Sequence, residues 1–252
     1  MDNIIKKEKA GRIVRIALVV VLISIIVFFT ISCKWSVGLV RGSGNIVTEE
    51  RDVSGFDRVQ LSGIGDLIIS QGDEESLTIE ADDNIIQLIE TDVFGGELTI
   101  QFKRGYSFVP NTTMKFYLTV KELDKISLSG AGKINCDNFE AEELEFDISG
   151  AGDIDFDINA ETVEVYLSGA GDISLSGEVD SQDIKLSGVG NYDGKDLESR
   201  ICDIAVTGAG SATVNVSEEL DVNISGVGNV NYTGSPRVEQ EISGLGRIIS
   251  MN

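Results

Sequence analysis

Histidine is absent from this 252-residue chain. Its absence removes the commonest general base and the commonest metal ligand in one step. A Ser-His-Asp triad, a Cys-His pair and a His-bearing zinc site are all excluded. Proline is nearly absent too, 2 residues against 28 glycines, so the glycines punctuate regular structure and not a disordered Pro/Gly tract. Cations are scarce: 20 Lys and Arg face 42 Asp and Glu, for a net charge of −22. Residues 1–33 hold 5 basic and 2 acidic side chains, so residues 34–252 hold 15 and 40 and carry −25. Such a surface repels phosphate backbones and argues against lying flat on anionic lipid, so nucleic acid is not an expected partner. It suits solubility outside the cell, with a divalent-cation requirement as the sharper alternative.

One long uncharged run is present. Lys6, Lys7, Lys9, Arg12 and Arg15 precede IALVVVLISIIVFFTIS at 16–32. Counted from Ile13 the segment is 20 residues, about 30 Å as a helix and enough to cross a bilayer. The positive flank belongs in the cytoplasm. This predicts a basic cytoplasmic tail at 1–12, a single transmembrane helix or signal segment at 13–32, a linker at 33–41 and an extracytoplasmic domain at 42–250. The run is longer than the roughly 7–15 apolar residues of a cleaved signal. Cys33 keeps an alternative open, because TISC at 30–33 resembles a bacterial lipoprotein cleavage box, although Thr30 stands where Leu is usual. A retained anchor in the bacterial cell membrane, a lipidated Cys33 and plain secretion all export the same domain.

That domain is a repeat. Ser-Gly-x-Gly units carry their hydroxyls at Ser62, Ser129, Ser149, Ser168, Ser187, Thr207, Ser225 and Ser243. After a first gap of 67, the spacings are 20, 19, 19, 20, 18 and 18. Repeats near 20 residues mean a solenoid, in which each unit buries its apolar face only against its neighbours. Apolar columns run one residue before the hydroxyl (Leu61, Leu128, Ile148, Leu167, Leu186), three before it (Val59, Ile126, Phe146, Val165, Ile184) and five after it (Leu67, Ile134, Ile154, Ile173, Tyr192). Spacing by two describes a strand with one inward face. A further column between the glycines, with Ile64, Ala131, Ala151, Ala170, Val189, Ala209, Val227 and Leu245, is read as staying inside while the chain turns a corner.

The fold class predicted is therefore all-β, a right-handed parallel β-helix with one strand-rich coil per repeat. About 4.8 Å per coil and roughly ten coils give a rod of about 50 Å. Gly63, Gly130, Gly150, Gly169, Gly188, Gly208, Gly226 and Gly244 form one corner column, and Gly65, Gly132, Gly152, Gly171, Gly190, Gly210, Gly228 and Gly246 the other. Glycine is required there by positive φ or by close approach of coils. The hydroxyls are expected to bond to backbone beside the corner; a flat hydroxyl array that binds a periodic polymer is the alternative. Cys136 and Cys202 fall in different core columns and read as buried hydrophobes, not a disulfide.

The stretch GSGNIVTEERDVSGFDRVQLSGIGDL at 42–67, followed by repeated SGAGDI and SGVGN units, resembles the head GIN domain family of exported bacterial proteins, labelled auto-transporter adhesins. The resemblance covers about residues 42–250. It implies a right-handed β-helical domain and brings neither catalytic residues nor a cofactor. Between Ser70 and Lys125 the chain departs from the pattern, with strand-like alternation but no Ser-Gly-x-Gly unit. There KRGYSFVPNTT at 103–113 is expected to be a loop leaving the rod. Lys103, Arg104, Tyr106 and Phe108 are its candidate binding residues, because loops carry recognition more often than uniform ladders do.

Other motifs are weaker. GAGDISLSG at 169–177 resembles a calcium-binding Gly-Asp repeat, but those need a period of nine residues. Lys133 and Arg247 also interrupt the acidic column, leaving Asp153 and Asp172 as the one pair that could share an ion. No helix follows a glycine pair to receive a phosphate. Alternating acids such as Asp155 and Asp157 read as the solvent face of a strand, against the alternative of a glycosidase pair. The expected function is a membrane-tethered, non-enzymatic surface domain that contacts a polysaccharide or an envelope protein. A rod that self-assembles end to end is the alternative, and a polysaccharide-acting enzyme comes third.

Overall fold

The computed structural model describes residues 38–252. The basic tail, the apolar segment at 13–32 and Cys33 lie outside the described residues. No helix among the described residues is long and apolar enough to cross a membrane.

The described chain is an all-β solenoid of about 7 turns with about 19 residues per coil. Its regular part is β10 (Lys125–Leu128), β11 (Ala131–Ile148), β12 (Ala151–Leu167), β13 (Ala170–Leu186), β14 (Val189–Val206) and β15 (Ala209–Ile224), followed by β16 (Val227–Thr233), β17 (Arg237–Ile242) and β18 (Leu245–Ser250). All pair in parallel with the coil before, in the register set by the aligned hydroxyls. Ile126 lies beside Phe146, Phe146 beside Val165, Val165 beside Ile184, Ile184 beside Ile204 and Ile204 beside Val222. Each of these side chains stacks on its equivalent above and below and is buried. At about 1.5–3 kcal/mol per buried aliphatic or aromatic side chain, such columns hold the rod together.

The first gap of 67 is a detour. β3 (Arg58–Leu61) pairs directly with β10, and β4 (Asp66–Gln71) with β11 at Ile134–Cys136, so residues 58–71 form the first motif-bearing coil. Beneath it lies a degenerate coil made by β7 (Glu97–Phe102) under β3 and β9 (Lys115–Val120) under β4, both parallel. Antiparallel strands then close that end. β6 (Ile89–Phe94) folds back on β7, β5 (Ser76–Asp82) on β9, and β2 (Ile46–Arg51) on β5, with a single 3-10 turn at Ile86–Leu88. This cap uses chain that the expectation of ten coils had assigned to regular turns.

The corner glycines are explained by proximity. From Gly130 onward, a Cβ built on any glycine of the two columns would sit 1.6–2.2 Å from the carbonyl oxygen of the equivalent glycine one coil below. In the first column none needs a left-handed φ, so close approach of coils is the cause. Alternation in fact runs unbroken through the corner: Leu167 in, Ser168 out, Gly169 in, Ala170 out, Gly171 in, Asp172 out, Ile173 in. The glycines are thus the inward positions, where the coil is too narrow for a side chain. The residue between them points out, against expectation: Val189 is 64% exposed, Val227 56% and Leu245 79%.

Both described cysteines are free and buried. Cys136 stands between Ile69 and Phe156, and Cys202 between Gln182 and Leu220. Gln182 is a polar side chain in a core column, and its bonds cross the coil. Tyr192 Oη donates to Gln182 Oε1 at 2.7 Å, Gln182 Nε2 donates to Ser199 Oγ at 2.7 Å, and Ser199 Oγ donates to the Asn215 carbonyl at 3.0 Å. The Tyr192 ring fits because Gly194, two residues on, leaves it the space that a Cβ would fill.

Candidate functional site

Two surfaces differ from the rest of the rod. The first is the corner of the capping coil. Where later coils turn in one Ser-Gly-x-Gly unit, the chain between β7 and β9 makes a longer excursion that carries β8 (Tyr106–Val109). The segment expected as a plain loop therefore contains a strand. β8 pairs with β1 (Gly38–Arg41) in a two-stranded sheet of its own. Of the four candidate residues, Phe108 is half-buried and spends its ring on Phe102, with centroids 4.6 Å apart. Tyr106 leans on Phe108 at 6.3 Å and stays 45% exposed. Lys103 Nζ donates to the Gln87 carbonyl at 3.2 Å, and Arg104 projects into solvent without an ion pair among the described residues. The excursion is clasped from behind by the GSGN segment. Gly44 N donates to Asp82 Oδ1 at 2.7 Å, Asn111 N to Asp82 Oδ2 at 3.1 Å and Ser43 Oγ to Asp83 Oδ1 at 2.6 Å. Asp82 is fully buried, so these N–H groups are what satisfies it.

The second surface is a shallow groove of about 500 Å³ along the regular coils, beside the hydroxyl column. Tyr166 and Lys185 form its centre, with the ammonium 4.8 Å from the ring centroid. The Tyr166 hydroxyl donates to Glu164 Oε2 at 2.7 Å, which raises its pKa. Lys185 Nζ donates to Asp183 Oδ2 at 2.8 Å and is raised chiefly by that bond. Ser168, Ser187 and Thr207 line one wall, and Glu145 and Asp147 one end. Both of these carboxylates are held by Lys125 Nζ, at 2.7 and 3.4 Å. Sequence reasoning passed over Tyr166 and Lys185. Their signal was a bulky aromatic and a lone cation in an outward column, two residues before the hydroxyl.

Beside the groove runs an acidic ladder, four residues before each hydroxyl from Ser149 onward, where Arg58 and Lys125 hold the same column in the two coils before. Glu145, Glu164, Asp183, Asp203, Asp221 and Glu239 stack in register. Burial, then the neighbouring carboxylates Asp221 and Asp183, hold Asp203 above the usual carboxylate range.

The remaining candidates are occupied within the rod. Asp153 Oδ1 accepts from Asp172 N at 3.3 Å, and Asp172 Oδ1 accepts from Asn191 N at 3.0 Å and its Nδ2 at 2.9 Å. Among the described residues no three His, Cys, Asp or Glu side chains converge as a metal site would require. Ser168 and Ser187 reach the Ile148 and Leu167 carbonyls at 3.4 Å, while Ser129 donates instead to Ser62 at 3.0 Å.

Comparison with known proteins agrees with this architecture. A crystal structure from Bacteroides fragilis, described as a "putative adhesin", superposes with a TM-score of 0.81 at 25% identity, covering 84% of this chain and 100% of that one. One from Parabacteroides distasonis, described as a "putative lipid binding protein", superposes with a TM-score of 0.70 at 26% identity, covering 85% and 100%. No curated protein matches the chain. Residues 55–236, which hold all but the last of the corner motifs, match the family described as "Putative auto-transporter adhesin, head GIN domain", and the chain belongs to it.

Proposed function

We propose that the protein is a non-enzymatic surface adhesin, anchored in the bacterial membrane by residues 13–32, whose exported rod binds a neutral polysaccharide along the Tyr166–Lys185 groove. The groove carries the reading. It combines an aromatic ring for a sugar face, exposed hydroxyls and bond-accepting carboxylates, on a rod whose coils repeat along the direction in which an extended glycan would lie. The adjacent acidic ladder disfavours an acidic glycan. Hydrolysis is a poorer fit, because the two carboxylates at the end of the groove share the Lys125 ammonium as an ion-pair partner within the rod. Head-to-tail stacking of rods also fits less well, since antiparallel strands cover the first coil.

Affinity electrophoresis of the full chain through gels containing neutral or acidic polysaccharides tests the proposal. Retardation by a neutral glycan, with about tenfold weaker affinity in Tyr166→Ala, is the expected result. Equal retardation of wild type and Tyr166→Ala, or a preference for acidic glycans, would refute it. Intact mass of the membrane-extracted protein separates the retained segment from cleavage before a lipidated Cys33.

A further inference from the structure

The molecule is electrically lopsided, and its least acidic part is the first half of the exported region, which includes the capping end of the rod. Residues 34–133 hold 10 basic and 16 acidic side chains, a net of −6, while residues 134–252 hold 5 and 24, a net of −19. Within the first part, residues 98–121 contain four basic residues and no acid at all. Six of the described Lys and Arg residues make no ion pair among the described residues, and three of these, Arg41, Lys103 and Arg104, belong to β1 and the turn into β8. The same small sheet bares apolar surface: Leu39 is 59% exposed, Tyr106 45% and Val109 48%.

Chain connectivity says what this surface faces. Gly42, just past β1, donates its N–H to the carbonyl of Val109, the last residue of β8. Two four-residue strands that end together run in the same direction, so the chain enters β1 at the Tyr106 end of β8. Five residues separate Ser32, the end of the uncharged run, from Gly38. Even fully extended they reach only about 20 Å. The clasp at Asp82 and Asp83 fixes the sheet to the rod.

We infer that the β1–β8 sheet is a lipid-docking surface. Arg41, Lys103 and Arg104 engage anionic phospholipid headgroups of the leaflet in which the chain is anchored, and Leu39 and Tyr106 sit at the interface. The pairing of cations with an amphipathic aromatic is what an anionic membrane surface selects. Docking at this end leaves the acidic coils pointing away from the leaflet. The inference rests on the anchoring proposed above.

Hydrogen–deuterium exchange on the full chain, reconstituted into nanodiscs of phosphatidylcholine with or without phosphatidylglycerol, tests it. Amides of residues 103–109 should exchange more slowly in the phosphatidylglycerol discs alone, while exchange in β12–β14 stays the same in both. Each cation near an anionic surface is worth about fivefold in occupancy, so Lys103→Ala/Arg104→Ala should cut docking about 25-fold and abolish the difference. Tyr106→Ser should reduce it without changing its dependence on phosphatidylglycerol. Exchange at 103–109 that is blind to phosphatidylglycerol, or protection that survives the double substitution, overturns the docking while the anchor stands. A chain that does not co-purify with the discs overturns the anchor, and the docking with it.

Discussion

Replacing Gly169 by alanine adds one methyl group to the narrow interior of the fourth Ser-Gly-x-Gly corner. Its Cβ would lie 2.0 Å from the Gly150 carbonyl oxygen and 2.7 Å from the Ser149 carbonyl carbon. That is roughly 1.5 Å short of the separation at which such atoms attract. Both partners are backbone, so no rotamer change can absorb the clash, and the coils must separate locally. The bonds at risk are Gly169 N to the Ile148 carbonyl, 3.1 Å, and Ala170 N to the Gly150 carbonyl, 2.9 Å. Losing two at about 1 kcal/mol each, with an overpacking cost of about 1–3 kcal/mol, gives a destabilisation of about 3–5 kcal/mol. For a domain of this size that is a fall in Tm of about 10 °C. Gly169→Val should be worse still. Two comparisons isolate the cause. Gly105→Ala meets nothing within 4 Å but must hold a φ of +89°, so it should cost only about 1–2 kcal/mol. Asp172→Asn, outward in the same corner, keeps its Oδ1 acceptor and should cost under about 0.5 kcal/mol. Thermal unfolding by circular dichroism ranks the three. If Gly169→Ala melts with Asp172→Asn, the narrow-corner account fails.

Two further outcomes follow from buried or crowded ionisable groups. The folded state takes up a proton at Asp203 more readily than the unfolded chain does, because burial and then Asp221 and Asp183 raise its pKa. The ionised group therefore opposes folding at neutral pH, and Asp203→Asn should raise Tm, most at low salt; an unchanged or lower Tm in scanning fluorimetry contradicts this. At alkaline pH the sign comes from groups kept neutral by burial, with Cys136 pushed up to about 12 and Cys202 and Tyr192 also raised. The unfolded chain loses those protons first, from about pH 8.5, so stability should fall as pH rises beyond it, and urea midpoints that stay level from neutral to strongly alkaline pH would count against the burial of all three.

The regular coils were legible because one hydroxyl per coil marks the register. Aligning Ser129, Ser149, Ser168 and Ser187 already placed Ile126 beside Phe146 and Cys136 beside Phe156, as the strands pair. The column between the glycines was misread because apolarity was taken for inwardness. Parity was the better guide: counting by twos from Leu167 makes Gly169 and Gly171 the inward residues and puts Ala170 outside. The buried bond from Tyr192 to Gln182 was also visible as three oddities, a tyrosine, a glutamine and a glycine at Gly194 in otherwise aliphatic columns, each accounting for the others. The cap was not legible. Its pairings, such as Val47 with Ala81 or Leu77 with Leu118, join segments that share no motif, and only tertiary closure selects them. Tyr166 and Lys185 were overlooked for a different reason, since a groove is a property of curvature and a sequence column carries none.

Charge acts on this molecule locally, which reconciles a strongly acidic rod with a docking end. Seven coils at about 4.8 Å span about 34 Å, several times the Debye length of about 8 Å at physiological salt. A leaflet set against the β1–β8 sheet would therefore sense its cations and hardly sense Asp203 or Glu239. On the docking inferred above, lying flat would bring the acidic ladder within one Debye length of anionic headgroups, whereas standing on the cap would keep it away from them. The two effects must then answer oppositely to salt. Added salt screens the ladder and raises Tm, while it screens Arg41, Lys103 and Arg104 from phosphatidylglycerol and lowers protection at residues 103–109. Both quantities can be read from the same full-length sample across one salt series. If they move in the same direction, the ladder and the docking sheet are not electrostatically separate, and the division of the rod into a lipid-facing cap and a free acidic body falls.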